Sequence, residues 1–126
     1  MKRILVVDDN ILMRKLIIHS FHRDDLEFHE ACDGSEGLEK ISADRYDLVI
    51  TDIIMPNMEG IELIMEAKRK HPDIKIIAIS GSEPFYLFMA KKLGVQAIFT
   101  KPLHHRDFSA TIRKILQLPD YVTIAS

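Results

Sequence analysis

The chain has 126 residues, 47% of them hydrophobic, which is enough for one domain with a core of its own. Its 17 basic and 19 acidic residues leave a net charge of −2, so no global field would hold a nucleic acid or an anionic membrane. Cys32 is the single cysteine, which excludes an internal disulfide and a multi-cysteine zinc site and favours a reducing compartment.

Near the N-terminus, Ile4-Leu5-Val6-Val7 is an apolar run ending in carboxylates, and it predicts a strand over 3–7 with Asp8 and Asp9 at its tip. Four residues are too few for a signal-peptide core or a membrane span, so a cytoplasmic location is expected. Asn10 suits an N-cap, and Met13, Leu16, Ile17 and Phe21 recur at helical spacing, predicting a helix over 11–22 with these four inward. Residues 27–31 read as a polar edge strand, and Asp33-Gly34 turns the chain into a short helix over 35–43 with Gly37, Leu38 and Ile41 inward.

Tyr46 to Asp52 carries the apolar run Leu48-Val49-Ile50, as expected of a parallel strand covered on both faces, and it stops at Asp52 before breaking at Met55-Pro56. Gly60, Leu63, Ile64 and Ala67 form the inward stripe of a helix over 59–70, closed by Pro72. A strand over 74–79 stops at Ser80-Gly81-Ser82. Glu83-Pro84 then opens a helix to Lys92, with Gly94 placed as its C-terminal cap. A strand over 96–100 ends at Lys101-Pro102, and a helix over 105–117 turns Phe108, Ile112, Ile115 and Leu116 inward before Pro119 stops it. Five strand–helix pairs without a long linker predict an α/β domain over 1–118, a parallel sheet with helices on both faces, followed by a tail or linker stub over 119–126.

In an open parallel sheet, ligands bind at the carboxyl ends of the strands. Asp8, Asp9, Asp52, Ser80 and Lys101 all fall there. Three carboxylates brought together repel one another and raise at least one pKa unless a cation neutralises them, and a hard divalent ion such as Mg2+ suits such oxygens. Lys101 adds a compact positive charge and Ser80 a hydroxyl, although Ser80 alone also fits a helix cap. These parts make a site for phosphoryl transfer to a carboxylate. Asp52 is the nucleophile candidate, being single and central in the row, and Asp8 and Asp9 are then metal ligands.

The ordered set Asp8-Asp9, Asp52 in Thr51-Asp52-Ile53-Ile54-Met55-Pro56 with Gly60 following, Ser80, and Lys101-Pro102 resembles the receiver domain of bacterial two-component response regulators, over residues 3–117. The resemblance implies a flavodoxin-like fold with strand order 2-1-3-4-5. It implies Mg2+-dependent phosphorylation of Asp52 by a histidine kinase or phosphotransfer protein. Asp9 and Asp52, Asp8 mostly through water, and the backbone carbonyl of Ile54 would surround the metal, and the Lys101–Pro102 bond would be cis. Ser80 would swing onto the phosphoryl group and repack the surface of the last two helices and the strand between them, which controls an effector or a second receiver. The domain would then be no enzyme beyond its own phosphorylation and slow dephosphorylation.

Two departures stand out. The position three before the lysine, often aromatic in the family, is Ile98, and alternation places Phe99 on the opposite side of its strand. If Leu87, Ala90 and Gly94 face the sheet, then Phe85, Phe88 and Met89 point outward as a partner patch. His19 with His22, and His104 with His105, lack a third ligand and read as surface histidines. The competing functions are a binding module of the same fold that phosphate does not switch and, less well supported, a hydrolase with an aspartyl intermediate. The second lacks an acid at position 54, which is Ile, and a cap domain.

Overall fold

The computed structural model describes residues 1–55, 58–81 and 84–118. Strands and helices alternate as β1 (Lys2–Val7), α1 (Ile11–Ser20), β2 (Leu26–Ala31), α2 (Gly34–Ala43), β3 (Leu48–Asp52), α3 (Gly60–Lys70), β4 (Ile76–Ser80), α4 (Pro84–Lys92), β5 (Ala97–Thr100) and α5 (His105–Leu116). The strands form one parallel sheet in the order β2-β1-β3-β4-β5. The most apolar strands, β1, β3 and β4, are central, and the polar β2 is at an edge, because only an edge strand can leave alternate side chains in water.

Alternation along the strands splits the core in two. Leu5, Val7, Val49, Ile76 and Ala78 point to the face covered by α2, α3 and α4, where Ile41, Leu63, Ile64, Ala67 and Ala90 meet them. Ile4, Val6, Leu48, Ile50, Ile77 and Ile79 point to the other face, under Ile17 of α1 and Phe108, Ile112 and Leu116 of α5. Phe108 is fully buried and meets Phe21 and Phe99 edge-on at ring-centre distances of 5.0 and 4.9 Å. Phe99 is thus committed to the α1–α5 face and Ile98 to the opposite one, as alternation requires.

Most elements fall within two residues of their predicted limits. β4 begins at Ile76 rather than 74, because the Ile74 N–H donates to the His71 carbonyl (2.9 Å) in a turn. α1 ends at Ser20, where the Phe21 N–H closes the last turn on Ile17 O. Within α1, Ile17 and Phe21 are buried as expected, but Leu16 is 61% exposed. Met89 also departs from expectation: it packs half-buried against the α2–α3–α4 core, so the outward aromatics of α4 are Phe85 and Phe88. Ile115 and Leu38 pack on the core without being fully buried. Gly94 follows α4 with φ of +84°, the left-handed conformation that ends helices and that glycine adopts without penalty. Pro56, Ser82, Glu83, Pro119 and the tail lie outside the described residues, as does the side chain of Leu87.

Candidate functional site at the carboxyl edge of the sheet

Parallel strands deliver their carboxyl ends to one rim, and side-chain parity decides what meets there. Counting alternately from Val6, Ile50 and Phe99 places Asp8, Asp52 and Lys101 on the α1–α5 side of the sheet plane, and counting from Ala78 places Ser80 on the other side. The Lys101 ammonium accordingly lies 3.0 Å from Asp52 Oδ2 and 3.9 Å from Asp8 Oδ2. Asp8, Asp9 and Asp52 offer carboxylate oxygens that all lie within 4.8 Å of one another. The predicted acids and the lysine are therefore brought together, with Ser80 buried at the end of the adjacent strand. The Lys101–Pro102 bond is cis.

Asp52 is oriented from both sides. Its Oδ1 accepts the Ile53 N–H (2.8 Å) and its Oδ2 the Lys101 ammonium, which fixes the plane of the carboxylate at the strand tip. Asp8 is 2% exposed and accepts the Asn10 N–H on Oδ1 (2.9 Å). Burial pushes its carboxyl up to about 6 from the ordinary 3.8; the Asn10 N–H opposes this, the Asp52 charge adds to it, Lys101 opposes it and Asp9 adds to it. Burial pulls the Lys101 ammonium down, but its hydrogen bond to Asp52 and the charges of Asp52, Asp8 and Asp9 outweigh that and leave it above the ordinary lysine range. The rim is an anionic cluster with one compensating cation.

Several supports were invisible in the sequence. Asn10, read only as a cap, does cap α1 through the Leu12 and Met13 N–H groups, but its own N–H also holds Asp8. Arg14 spends one guanidinium nitrogen on the Asp8 carbonyl (2.7 Å) and another on Glu30 (3.0 Å), tying α1 and β2 to the first acid. Gly60 begins α3 directly over the site. Its N–H donates to Ile53 O at 2.6 Å, and a Cβ there would stand 2.2 Å from Asp52 O. A Cβ on Gly34 would likewise stand 2.1 Å from Met58 O. The backbone at Asp52–Ile53 and at Met58 is thus approached closely by a glycine in each case; Ile54, two residues past Asp52, is 41% exposed. Asp33-Gly34 reads in the sequence as a turn and Gly60 as part of the inward stripe of α3; the close approaches themselves are tertiary.

Hard carboxylate oxygens from three residues suit a divalent cation such as Mg2+, and such an ion would offset both the burial that chiefly raises the Asp8 carboxyl and the smaller repulsion from Asp52 and Asp9.

A doubly wound parallel sheet with an acid cluster and a lysine at its carboxyl rim defines an α/β protein whose polar groups converge where such folds bind ligands. The response regulator receiver domain model matches residues 4–113, and the chain belongs to that family. It is 32% identical over 117 residues to the response regulator receiver protein CpdR of Brucella abortus, covering 92% of this chain and 98% of that one. The CheY-like receiver domain structure from Methanospirillum hungatei superposes with a TM-score of 0.87 at 30% identity, covering 93% and 94% of the two chains. The response regulator TrrA of Thermotoga maritima, solved in complex with Mg2+–BeF, superposes with a TM-score of 0.83 at 31% identity over 91% of this chain and 99% of that one. Phosphorylation-activated signalling in two-component systems is the function of this family, whose members work with histidine kinases and output domains.

Among the described residues no helix is long and apolar enough to cross a membrane.

Proposed function

We propose that Asp52 is the phosphoacceptor of this receiver and that Asp8, Asp9 and Asp52, with the backbone carbonyl of Ile54, hold Mg2+ beside it. The observation that carries this is the Asp52 carboxylate, fixed between the Ile53 N–H and Lys101 with two further acids in reach. A bound Mg2+ would supply charge stabilisation for the phosphoryl oxygens. The similarity to TrrA, solved with Mg2+ and a beryllium fluoride, supports the choice of ion.

The donor is a phosphohistidine of a kinase or phosphotransfer protein. An Asp52 oxygen forms a bond to phosphorus as the P–N bond breaks; the electron pair returns to the imidazole nitrogen, which takes a proton. Lys101 passes from the carboxylate to a phosphoryl oxygen, and the Ser80 hydroxyl donates to another. Because Ser80 ends β4, that bond acts at the start of the connection to α4, and the α4–β5–α5 surface reports it to an effector. The domain carries out its own phosphorylation and dephosphorylation and no other chemistry, and the unit that does so spans 1–118.

The test is intact-mass measurement after acetyl phosphate and Mg2+. Wild type gains one phosphoryl group, lost on hydroxylamine treatment, and Asp52→Asn does not. No adduct on wild type, or an equal one on Asp52→Asn, overturns the assignment.

A further inference from the structure

The pairing of β1 with its neighbours ends at Val7, so the backbone of the acid pair that follows needs other partners. The Asp8 N–H donates to Ala31 O of β2 at 3.1 Å, but no backbone N–H among the described residues donates to the Asp8 carbonyl. The Arg14 guanidinium does so, from Nη1 at 2.7 Å, while its Nε donates to Glu30 Oε1 at 3.0 Å. The Arg14 side chain is 11% exposed, and a guanidinium so far out of water needs acceptors on more than one nitrogen. Glu30 is held in turn: its Oε2 accepts from the Lys15 ammonium at 2.6 Å, and its carbonyl accepts from Lys40. The Lys15 hydrogen bond, against burial and with help from Arg14, keeps the Glu30 carboxyl below the ordinary glutamate range.

A carbonyl oxygen and the following N–H lie in one planar unit. Fixing the Asp8 oxygen therefore fixes the plane from which Asp9 departs, and with it the relative direction of two consecutive carboxylates. Asp8 and Asp52 have hydrogen bonds of their own to orient them. The exposed Asp9 side chain has none among the described residues, so its backbone is what brings its oxygen within 4.8 Å of theirs. Arg14 acts on this backbone rather than on the charge of the acids. The charges felt by the Asp8 carboxyl are those of Asp52, Lys101 and Asp9, and the Arg14 charge, neutralised by Glu30, is not among them.

We infer that Arg14 is a positioning residue of the rim: through the Asp8 carbonyl it aims the Asp8–Asp9 pair at Asp52, and Glu30 holds it there, so that Mg2+ affinity depends on β2, an edge strand that supplies no ligand. The inference rests on the reading that the three acids hold the ion. Groups that orient metal ligands commonly count for roughly ten- to hundredfold in affinity. The sign separates positioning from charge compensation. Removing Lys101, which stands among the acids, should tighten Mg2+, whereas removing Arg14 should loosen it.

The test is Mg2+ titration of the full chain by calorimetry, at a temperature where urea unfolding in EDTA shows each variant folded. Arg14→Met should bind Mg2+ about tenfold more weakly or worse. Arg14→Lys keeps the charge but donates from one point, so it serves the carbonyl or Glu30 and not both, and it should fall between Arg14→Met and wild type. Glu30→Gln should weaken binding by about threefold or more, and with Arg14→Lys it carries the test if Arg14→Met does not fold. Lys15→Met takes a cation from Glu30 and none from Asp8, and should stay within about twofold of wild type. In EDTA, Arg14→Met should shift the amide resonance of Asp9, whose nitrogen shares a peptide with the gripped carbonyl, and Lys15→Met should not. A merely structural arginine would lower stability and leave Mg2+ affinity unchanged. That result, full binding by Arg14→Lys, tighter binding by Arg14→Met, or an equal loss in Lys15→Met would each overturn the proposal. Wild type that binds no Mg2+, or Asp9→Asn that binds it undiminished, overturns the ligand set and this inference with it; a loss in Asp9→Asn without one in Arg14→Met overturns this inference alone.

Discussion

Replacing Asp8 with Asn should stabilise the metal-free protein at neutral pH, although it removes one of the three acids of the rim. Asp8 is 2% exposed, and its carboxyl is pushed up from 3.8 to about 6, chiefly by burial. A carboxyl raised in the folded state favours the fold fully below pH 3.8, and that contribution is lost as pH rises through about 6. At about 1.36 kcal/mol per pKa unit, the ionised side chain costs on the order of 3 kcal/mol at pH 7.5. Asparagine keeps an oxygen for the Asn10 N–H, carries no charge, and escapes that cost. For a domain of this length the gain corresponds to roughly 10 °C in Tm. The assay is thermal unfolding of wild type and Asp8→Asn from pH 4.5 to 8 in EDTA, repeated with Mg2+. The difference between the curves should open with rising pH, level off above pH 7, and shrink when Mg2+ is added, because the ion stabilises wild type more than the variant. If Asp8→Asn melts at or below wild type at pH 7.5 in EDTA, the electrostatic account of the rim is wrong.

Two further changes probe the scaffold and the cation. Gly60→Ala drives a methyl into Asp52 O and Ile53 Cα, backbone atoms that cannot turn aside; urea unfolding should show a loss of about 2–3 kcal/mol, and acetyl phosphate labelling should slow. A loss under about 0.5 kcal/mol would mean the segment after β3 shifts freely. Lys101→Met removes the ammonium that stands against Asp52 and Asp8, so Mg2+ should bind more tightly by calorimetry while phosphoryl uptake falls by about tenfold or more. Weaker Mg2+ binding in that variant would show that Lys101 orders the acids and does not compete with the ion.

How legible each feature is in the sequence follows from how its signal arises. The strands were legible because β1, β3 and β4 are buried on both faces and so are continuous apolar runs ending in polar groups. Asp8 and Asp52 were legible for the same reason, each ending such a run; Lys101 follows the half-buried edge strand β5, and it joined them because parallel strands have one carboxyl edge. α1 was misread at Leu16 because Ile11, Leu12, Met13, Leu16, Ile17 and Ile18 leave apolar groups on nearly every side, so periodicity cannot choose the inward stripe. Met89 failed similarly in α4, whose apolar residues also spread around the helix. Arg14 and Gly60 act through contacts between segments distant in sequence, and no local pattern encodes a guanidinium on the Asp8 carbonyl or a helix start resting on Asp52.

The parity of the strand tips has a mechanical consequence. Asp8, Asp52 and Lys101 issue from one side of the sheet plane and Ser80 from the other, so any anion gripped by Lys101 and Ser80 together straddles that plane. Pulling it tight drags on both flanking layers of helices at once, which are otherwise insulated from each other by the strands. One small guest can thereby set two separate hydrophobic layers in step.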